Sequence, residues 1–137
     1  MAMTAKGQVD IYVQTDHKWQ VVDITAQVAE AIDRLGIVDG LCHVYVAHTT
    51  AAIAINEKAD PNIGDDILHA LDRLVPEGIW KHDQIDNNGA AHLKAALLGP
   101  SEIIPLQQGR LVLGTWQAVM LVEFDGPRQR RVVVSVR

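Results

Sequence analysis

The residues of this sequence that could do chemistry include six histidines. One of them opens the triplet His48-Thr49-Thr50, which places an imidazole and two hydroxyls together between two apolar segments. Imidazole nitrogens bind metal ions, and hydroxyl groups donate hydrogen bonds to phosphate oxygens. The triplet therefore suits a metal or phosphate site, and a turn capped by threonine hydroxyls is an equally good interpretation.

Two further histidines bracket a polar segment. His82 and His92 lie at its ends, and Asp83 and Asp86 lie between them. No HExxH pattern and no paired CxxC motif occurs in the chain, so a metal site must be assembled from residues that are distant in sequence. A solvated polar loop is the simpler interpretation of the same segment.

Two carboxylates are candidates for catalysis. Glu123 shares a strand face with the apolar residues of 117–123, and an inward-facing carboxylate there needs a cation or several hydrogen-bond donors. Glu57 directly follows another apolar strand, so we expect it to reach the same corner of the fold as His48 and to be available as a base.

The densest basic cluster in the chain consists of Arg128, Arg130 and Arg131, directly after an Asp-Gly-Pro turn. These guanidinium groups either balance acidic neighbours along a strand or clamp a phosphate or carboxylate with paired hydrogen bonds. The sequence alone leaves both interpretations open.

The composition excludes several classes of protein. The chain has 137 residues, 48% of them hydrophobic, and a formal net charge of −5. That charge argues against a general binder of nucleic acid or of a membrane surface, because both are polyanionic. The single cysteine, Cys42, cannot form an internal disulfide, no apolar run is long enough to span a membrane, and no signal-peptide pattern is present. We therefore expect a cytoplasmic protein.

Hydrophobic periodicity and turn residues predict the elements that position these groups. Helices are predicted at 26–35, with Thr25 as its N-cap, from Asp60-Pro61 to before Pro76, and at 90–98. Strands are predicted at 8–15, 20–24, 41–47, 51–55, 102–106, 110–124 with a kink near Gly114, and 129–136. Strands at both ends with helices between them indicate an α+β domain, 1–137, of largely antiparallel packed sheets with two to three helices.

An ordered set of six motifs resembles the YjbQ-like family over nearly the whole chain. The motifs are His48-Thr49-Thr50-Ala51, Asn56-Glu57 with Asp60-Pro61, His82, Ala91-His92-Leu93-Lys94-Ala95, Leu113-Gly114-Thr115-Trp116-Gln117 and Glu123-Phe124-Asp125-Gly126-Pro127-Arg128. The resemblance implies a homotrimer of packed antiparallel sheets. It also implies a secondary thiamine-phosphate synthase activity, which joins an aminopyrimidine pyrophosphate to a thiazole phosphate and releases pyrophosphate.

The same resemblance implies roles for individual residues. His48, His82 and His92 match recurring histidines of the family, which implies a shared divalent-cation site with Glu123 as a further ligand or as an orienting group. Thr49, Thr50, Lys94 and Arg128 are then expected on phosphate oxygens, and Glu57 as a base. Imidazoles suit zinc, nickel or iron, whereas a pyrophosphate reaction recruits magnesium with the substrate.

Two other functions fit the same residues. A three-histidine site with an open position also suits a metal-dependent hydrolase, in which Glu57 or Glu123 takes a proton from water. A non-catalytic trimer that binds a small anionic ligand or a metal ion is the third hypothesis.

Overall fold

The computed structural model describes all residues, Met1–Arg137, as nine strands and three α-helices. The strands are Ala2–Ala5 (β1), Gln8–Gln14 (β2), Gln20–Asp23 (β3), Gly40–Val46 (β4), Ala51–Glu57 (β5), Ser101–Gln107 (β6), Arg110–Leu111 (β7), Gln117–Glu123 (β8) and Gln129–Val136 (β9). The helices are Thr25–Leu35 (α1), Pro61–Leu74 (α2) and Gly89–Leu98 (α3), and a short 3-10 helix covers Lys81–Gln84. No helix in the chain has the length and apolar character that crossing a membrane requires.

The strands form two sheets in which every pairing is antiparallel. The larger sheet has the order β1-β2-β9-β4-β6-β7, and the smaller has the order β3-β8-β5. Two antiparallel sheets and three helices confirm the predicted α+β fold of largely antiparallel packed sheets.

The main core lies between the two sheets. Alternate residues of β2, β4 and β9, such as Val9, Val44 and Val134, are fully buried there, as the two-residue period of a strand requires. Helix α1 contributes Val28 and Ile32 to the same core. A second, smaller core forms where α2 and α3 pack on the other face of the three-stranded sheet, so the smaller sheet is the middle layer.

Local hydrogen bonds explain how two helices begin. The carboxylate of Asp60 accepts a hydrogen bond from the amide of Asn62 at 2.9 Å, which confirms the predicted cap of α2. The predicted cap of α1 is wrong. Asp23, not Thr25, accepts from the first free amide, and the Thr25 hydroxyl instead accepts from the amide of Val119 at 2.9 Å.

The long strand predicted at 110–124 is interrupted. The amide of Gln117 donates to the carbonyl of Gly114 at 3.0 Å, and the side-chain carbonyl of Gln117 accepts from the amide of Gly114 at 2.8 Å. This reciprocal pair closes a turn, so β7 ends at Leu111 and β8 begins at Gln117.

Three chain segments meet at one end of the smaller sheet. Ala51 opens β5 opposite Glu123, the last residue of β8. This register places the corner 47–50 next to the turn 124–128, where the amide of Phe124 donates to the carbonyl of Thr50 at 3.1 Å. The segment 81–92 covers the same end, since His92 and Thr49 line one cavity there.

Candidate functional site

A cleft lined only by polar side chains lies where these three segments meet. It has a volume of about 500 Å³, and we call it the polar cleft. Its lining residues are Thr49, Thr50, Asp86, Asn88, His92, Asp125 and Arg128. Four of the residues predicted as functional, Thr49, Thr50, His92 and Arg128, therefore share one cleft.

Arg128 is held in the cleft by the turn that precedes it. Its Nε donates to the carbonyl of Asp125 at 2.8 Å, and its Nη2 donates to the Asp125 carboxylate at 3.2 Å. A guanidinium has five N–H donors, so three remain for a ligand. Since the side chain is 50% exposed, these donors are accessible.

Thr50 is fixed by a buried ion pair below the cleft. Its hydroxyl oxygen accepts from Nη2 of Arg130 at 2.8 Å, which leaves the hydroxyl proton free to donate. Arg130 in turn pairs with Glu123, and both side chains are at most 1% exposed. Of the two interpretations of the basic cluster, the balancing of an acidic neighbour applies to Arg130, because its charge is paired with the buried carboxylate of Glu123.

The carboxylate of Glu123 is fully occupied by donors. Its Oε1 accepts from the hydroxyl of Thr15 at 2.8 Å and from Nε of Arg130 at 2.9 Å. Its Oε2 accepts from the amides of Phe124 and Asp125 at 3.1 and 3.2 Å. The inward-facing carboxylate has the cation and the donors that the sequence demanded. It does not line the polar cleft, so this position corrects the expectation of Glu123 as a catalytic group or metal ligand.

His82 and His92 lie side by side. Their ring centroids are 4.6 Å apart, and the planes meet at 76°. Asp83 holds this arrangement because its carboxylate accepts from the amides of Trp80 at 3.0 Å and Gly89 at 2.8 Å. These backbone donors, that of Trp80 first, lower the pKa of Asp83 and join the 3-10 helix to the start of α3.

The nitrogen Nε2 of His82 is buried and has no hydrogen-bond partner. The nearest carboxylate oxygen, Oδ2 of Asp86, is 3.6 Å away. An unpartnered imidazole nitrogen beside a second imidazole and a carboxylate has the chemistry of a cation ligand.

His48 is placed differently. Its Nε2 accepts a hydrogen bond from the amide of Arg131 at 2.8 Å, so the neutral ring carries its proton on Nδ1 and has no lone pair left for a metal. Burial, followed by the positive charge of Arg130, lowers the pKa of His48. No three His, Cys, Asp or Glu side chains are close enough together to hold a metal ion. The structure places only His82 and His92 ring against ring, and His48 shares a cavity with His92 while its Nε2 is bonded to Arg131. The three-histidine ligand set stays a prediction.

Two other predicted residues lie outside the cleft. Lys94 is 2% exposed and faces α2, where its ammonium group lies 3.4 Å from Asp72 and 4.5 Å from the centre of the Trp19 ring. Glu57 is the last residue of β5, opposite Gln117. A strand rises roughly 3.3 Å per residue, so Glu57 lies about 20 Å from the His48 corner. The expectation that it reaches that corner is wrong within one chain.

Sequence reasoning missed Asn88 and Asp125 as members of the site. The side-chain amide of Asn88 donates to the Asp125 carboxylate at 2.9 Å, which joins the start of α3 to the β8–β9 turn. Asp125 belongs to the motif that ends at Arg128, and the three-residue spacing of this acid and base around a turn was a signal that the two could pair.

A second cavity of about 450 Å³ adjoins the polar cleft, and we call it the apolar pocket. His92 lines both this pocket and the polar cleft. The other lining residues of the pocket are Ile79, Trp80, Lys81, His82, Gly89 and Leu93. A third, smaller cavity connects His92 with His48 and Thr49. His92 is therefore the residue common to all three cavities.

Comparisons with known proteins agree with the resemblance. The model of the family described as UPF0047 protein YjbQ-like matches residues 9–137. A UPF0047 protein of Archaeoglobus fulgidus is 45% identical over 127 residues, covering 92% of this chain and 98% of the relative. A hypothetical protein from Aeropyrum pernix K1 superposes with a TM-score of 0.90 at 44% identity, covering 95% of this chain and 97% of that one. A YbjQ-like protein of unknown function from Sulfolobus solfataricus P2 gives a TM-score of 0.89 at 44% identity, covering 94% of both chains. This chain belongs to the UPF0047 family of YjbQ-like proteins.

Proposed function

We propose that the protein is a metal-assisted transferase of the thiamine-phosphate synthase type, which condenses an aminopyrimidine pyrophosphate with a thiazole phosphate. The observation that carries the proposal is the polar cleft, in which a guanidinium, two threonines and an imidazole line one cavity. Guanidinium and hydroxyl groups are the donors that proteins use for phosphate oxygens. The type of reaction comes from the family resemblance.

Within this proposal, Arg128, Thr49 and Thr50 bind the pyrophosphate. Departure of pyrophosphate develops negative charge, and preorganised donors stabilise that charge without having to reorient. Arg128 is preorganised by Asp125, and Thr50 by Arg130. The chain therefore holds its donors in place before a ligand arrives.

The charge of the cleft supports a divalent cation. Asp86 and Asp125 carry two negative charges against the single positive charge of Arg128, which disfavours a polyanion such as pyrophosphate. His82 and His92 would supply two ligands to such a cation, the substrate's oxygens or a second copy of the chain would supply the others, and the cation would offset the charge of the leaving group. The imidazoles suit a zinc-like ion, and magnesium would arrive with the substrate.

The test combines metal analysis with three assays on protein purified without a His-tag: condensation of the two substrates, hydrolysis of phosphate esters with and without chelator, and binding of pyrophosphate. Wild type should contain a divalent metal and should condense the two substrates. His92→Ala should lose most of both properties, whereas the control His69→Ala, on the exposed side of α2, should keep both. Unchanged metal content and turnover in His92→Ala would overturn the proposal.

The other two functions are outcomes of the same experiment. Chelator-sensitive turnover of a single phosphate ester, without condensation, would identify a hydrolase. Tight binding of pyrophosphate with no turnover of any substrate would identify a non-catalytic binding protein. Either result would replace the transferase.

We also propose that the protein forms a homotrimer through the outer face of the six-stranded sheet. This face exposes Tyr12, Leu41 and Ile103 by half or more, and exposed apolar side chains on a sheet favour association. Light scattering should give about three times the chain mass of 15.0 kDa. Ile103→Lys should lower this mass, and a wild-type protein that is monomeric would contradict the proposal.

A further inference from the structure

We propose that the apolar pocket binds a planar ring of the substrate whose phosphate groups lie in the polar cleft. The ligand would be a flat aromatic or heteroaromatic ring that carries a phosphate or pyrophosphate. This inference rests on the proposed function insofar as the polar cleft must bind phosphate.

The walls of the pocket fit a planar ring. Trp80 contributes an indole, His82 and His92 contribute imidazoles, and Ile79 and Leu93 contribute apolar side chains. Flat rings pack favourably against such walls by offset stacking or edge-to-face contact. Lys81 is the only permanently charged residue that lines the pocket, whereas the polar cleft offers a phosphate Arg128 and two threonine hydroxyls, so the phosphate end of a ligand is better placed in the cleft.

Trp80 is held in place before a ligand binds. Its indole Nε1 donates to the carbonyl of Pro76 at 2.7 Å, and its backbone amide donates to Asp83 at 3.0 Å. Gly89 contacts it so closely that an added Cβ would lie 2.7 Å from the Trp80 Cβ. A fixed aromatic wall binds a ring at a smaller cost in conformational entropy.

The two cavities share His92 as a lining residue. The pocket volume of about 450 Å³ lies in the range typical of small-molecule sites. Ile79 and Leu93 are 68% and 38% exposed, so a ring in the pocket would remove apolar surface from water. A molecule with an anionic end and a flat apolar end would fill both cavities at once.

The experiment compares two probes by isothermal titration at fixed magnesium concentration. Inorganic pyrophosphate tests the polar cleft alone, and the aminopyrimidine pyrophosphate tests both cavities. The variant is Ile79→Ser/Leu93→Ser, and the control is Leu97→Ser, an exposed residue of α3 that lines neither cavity.

In wild type the ring-bearing probe should bind at least about tenfold more tightly than pyrophosphate, the factor expected for a filled apolar pocket. The double variant should lose that advantage and should keep its affinity for pyrophosphate, and Leu97→Ser should match wild type. The indole N–H resonance of Trp80, assigned with Trp80→Phe, should shift with the ring-bearing probe and not with pyrophosphate.

Different failures have different meanings. Equal affinity for the two probes, or a double variant that keeps the advantage, would overturn the ring pocket and leave the polar cleft intact. Absence of pyrophosphate binding in wild type would overturn the proposed function and the inference together. A changed oligomeric mass of the double variant would identify the pocket as a contact between copies of the chain and would also overturn the inference.

Discussion

The backbone amide of Arg131 donates a hydrogen bond to Nε2 of His48 over 2.8 Å. This contact joins the central strand of the larger sheet to the corner that opens the polar cleft. It also fixes the protonation of the imidazole, because an acceptor nitrogen must be unprotonated. His48 therefore acts as a hydrogen-bond acceptor within one chain.

We first predict a pH dependence of stability that arises from His48. Its pKa is held below the ordinary value of 6.5 by burial and then by the charge of Arg130. The unfolded chain therefore takes up the proton first, so this contribution is fully present above 6.5 and is lost as the pH falls through the folded-state pKa. His48→Gln, whose amide can still accept from Arg131, should flatten the decline in the free energy of unfolding below pH 6.5.

Urea unfolding at a series of pH values measures this effect. His69→Gln serves as the control, because it removes an exposed histidine and leaves the Arg131 hydrogen bond intact. Parallel pH profiles for wild type and His48→Gln would show that the protonation of His48 has no such role.

The second prediction concerns the ion pair of Glu123 and Arg130. Glu123→Gln leaves the Arg130 charge buried and uncompensated, and we expect it to lower the free energy of unfolding by about 3 to 5 kcal/mol. The double variant E123Q/R130Q should lose less than the two single variants together, by about 1 to 3 kcal/mol. Denaturant unfolding of the four proteins gives this coupling, and strictly additive losses would contradict it.

The third prediction separates Arg128 from Lys94. Arg128→Ala removes accessible donors from the polar cleft, and we expect pyrophosphate affinity to fall about ten- to a hundredfold, as for charged hydrogen bonds worth about 1.5 to 3 kcal/mol. Lys94→Met should change that affinity by less than about twofold, because the ammonium group lies against Trp19 and Asp72. Calorimetric titration of both variants with pyrophosphate measures these affinities. A large loss of affinity in Lys94→Met would contradict the prediction and would indicate that Lys94 contacts the phosphate.

The fourth prediction concerns Gly89. A Cβ at this position would lie 2.7 Å from the Trp80 Cβ and 2.9 Å from Oδ1 of Asp83. We expect Gly89→Ala to displace the 3-10 helix from α3 and to destabilise the fold by about 1 to 3 kcal/mol. Gly114→Ala is the control, since the nearest atom to the added Cβ would be Oε1 of Gln117 at 3.3 Å, a looser contact than either contact at Gly89. Equal melting temperatures for the two variants would show that the contact yields without cost.

Much of the fold could be predicted because its signals are local. The alternation of Val9, Ile11 and Val13 indicated β2, and the Asp60-Pro61 pair indicated the start of α2. The sequence predicts one strand over 110–124 that is kinked near Gly114. The structure shows a full interruption there because the Gln117 side chain closes a turn, and such a side-chain contact leaves no periodic pattern.

The site was predictable only in part, because the approach of distant segments decides it. The motif containing Thr49 and Thr50 indicated a phosphate site, and both residues line the polar cleft. Glu57 and Lys94 carry suitable chemistry, but the direction of β5 and the inward face of α3 place them elsewhere. Neither property can be read from residue type or from neighbours in sequence.

The position of β9 in the larger sheet governs when the site can come into existence. This strand is the last of the domain in chain order, yet it lies between β2 and β4 and supplies Arg130 beneath Thr50. During synthesis on the ribosome, β2 and β4 lack the strand that pairs with both of them until β9 emerges and inserts between them. The polar cleft is therefore complete only in the finished domain, because a nascent chain without β9 lacks the Arg130 that holds Thr50.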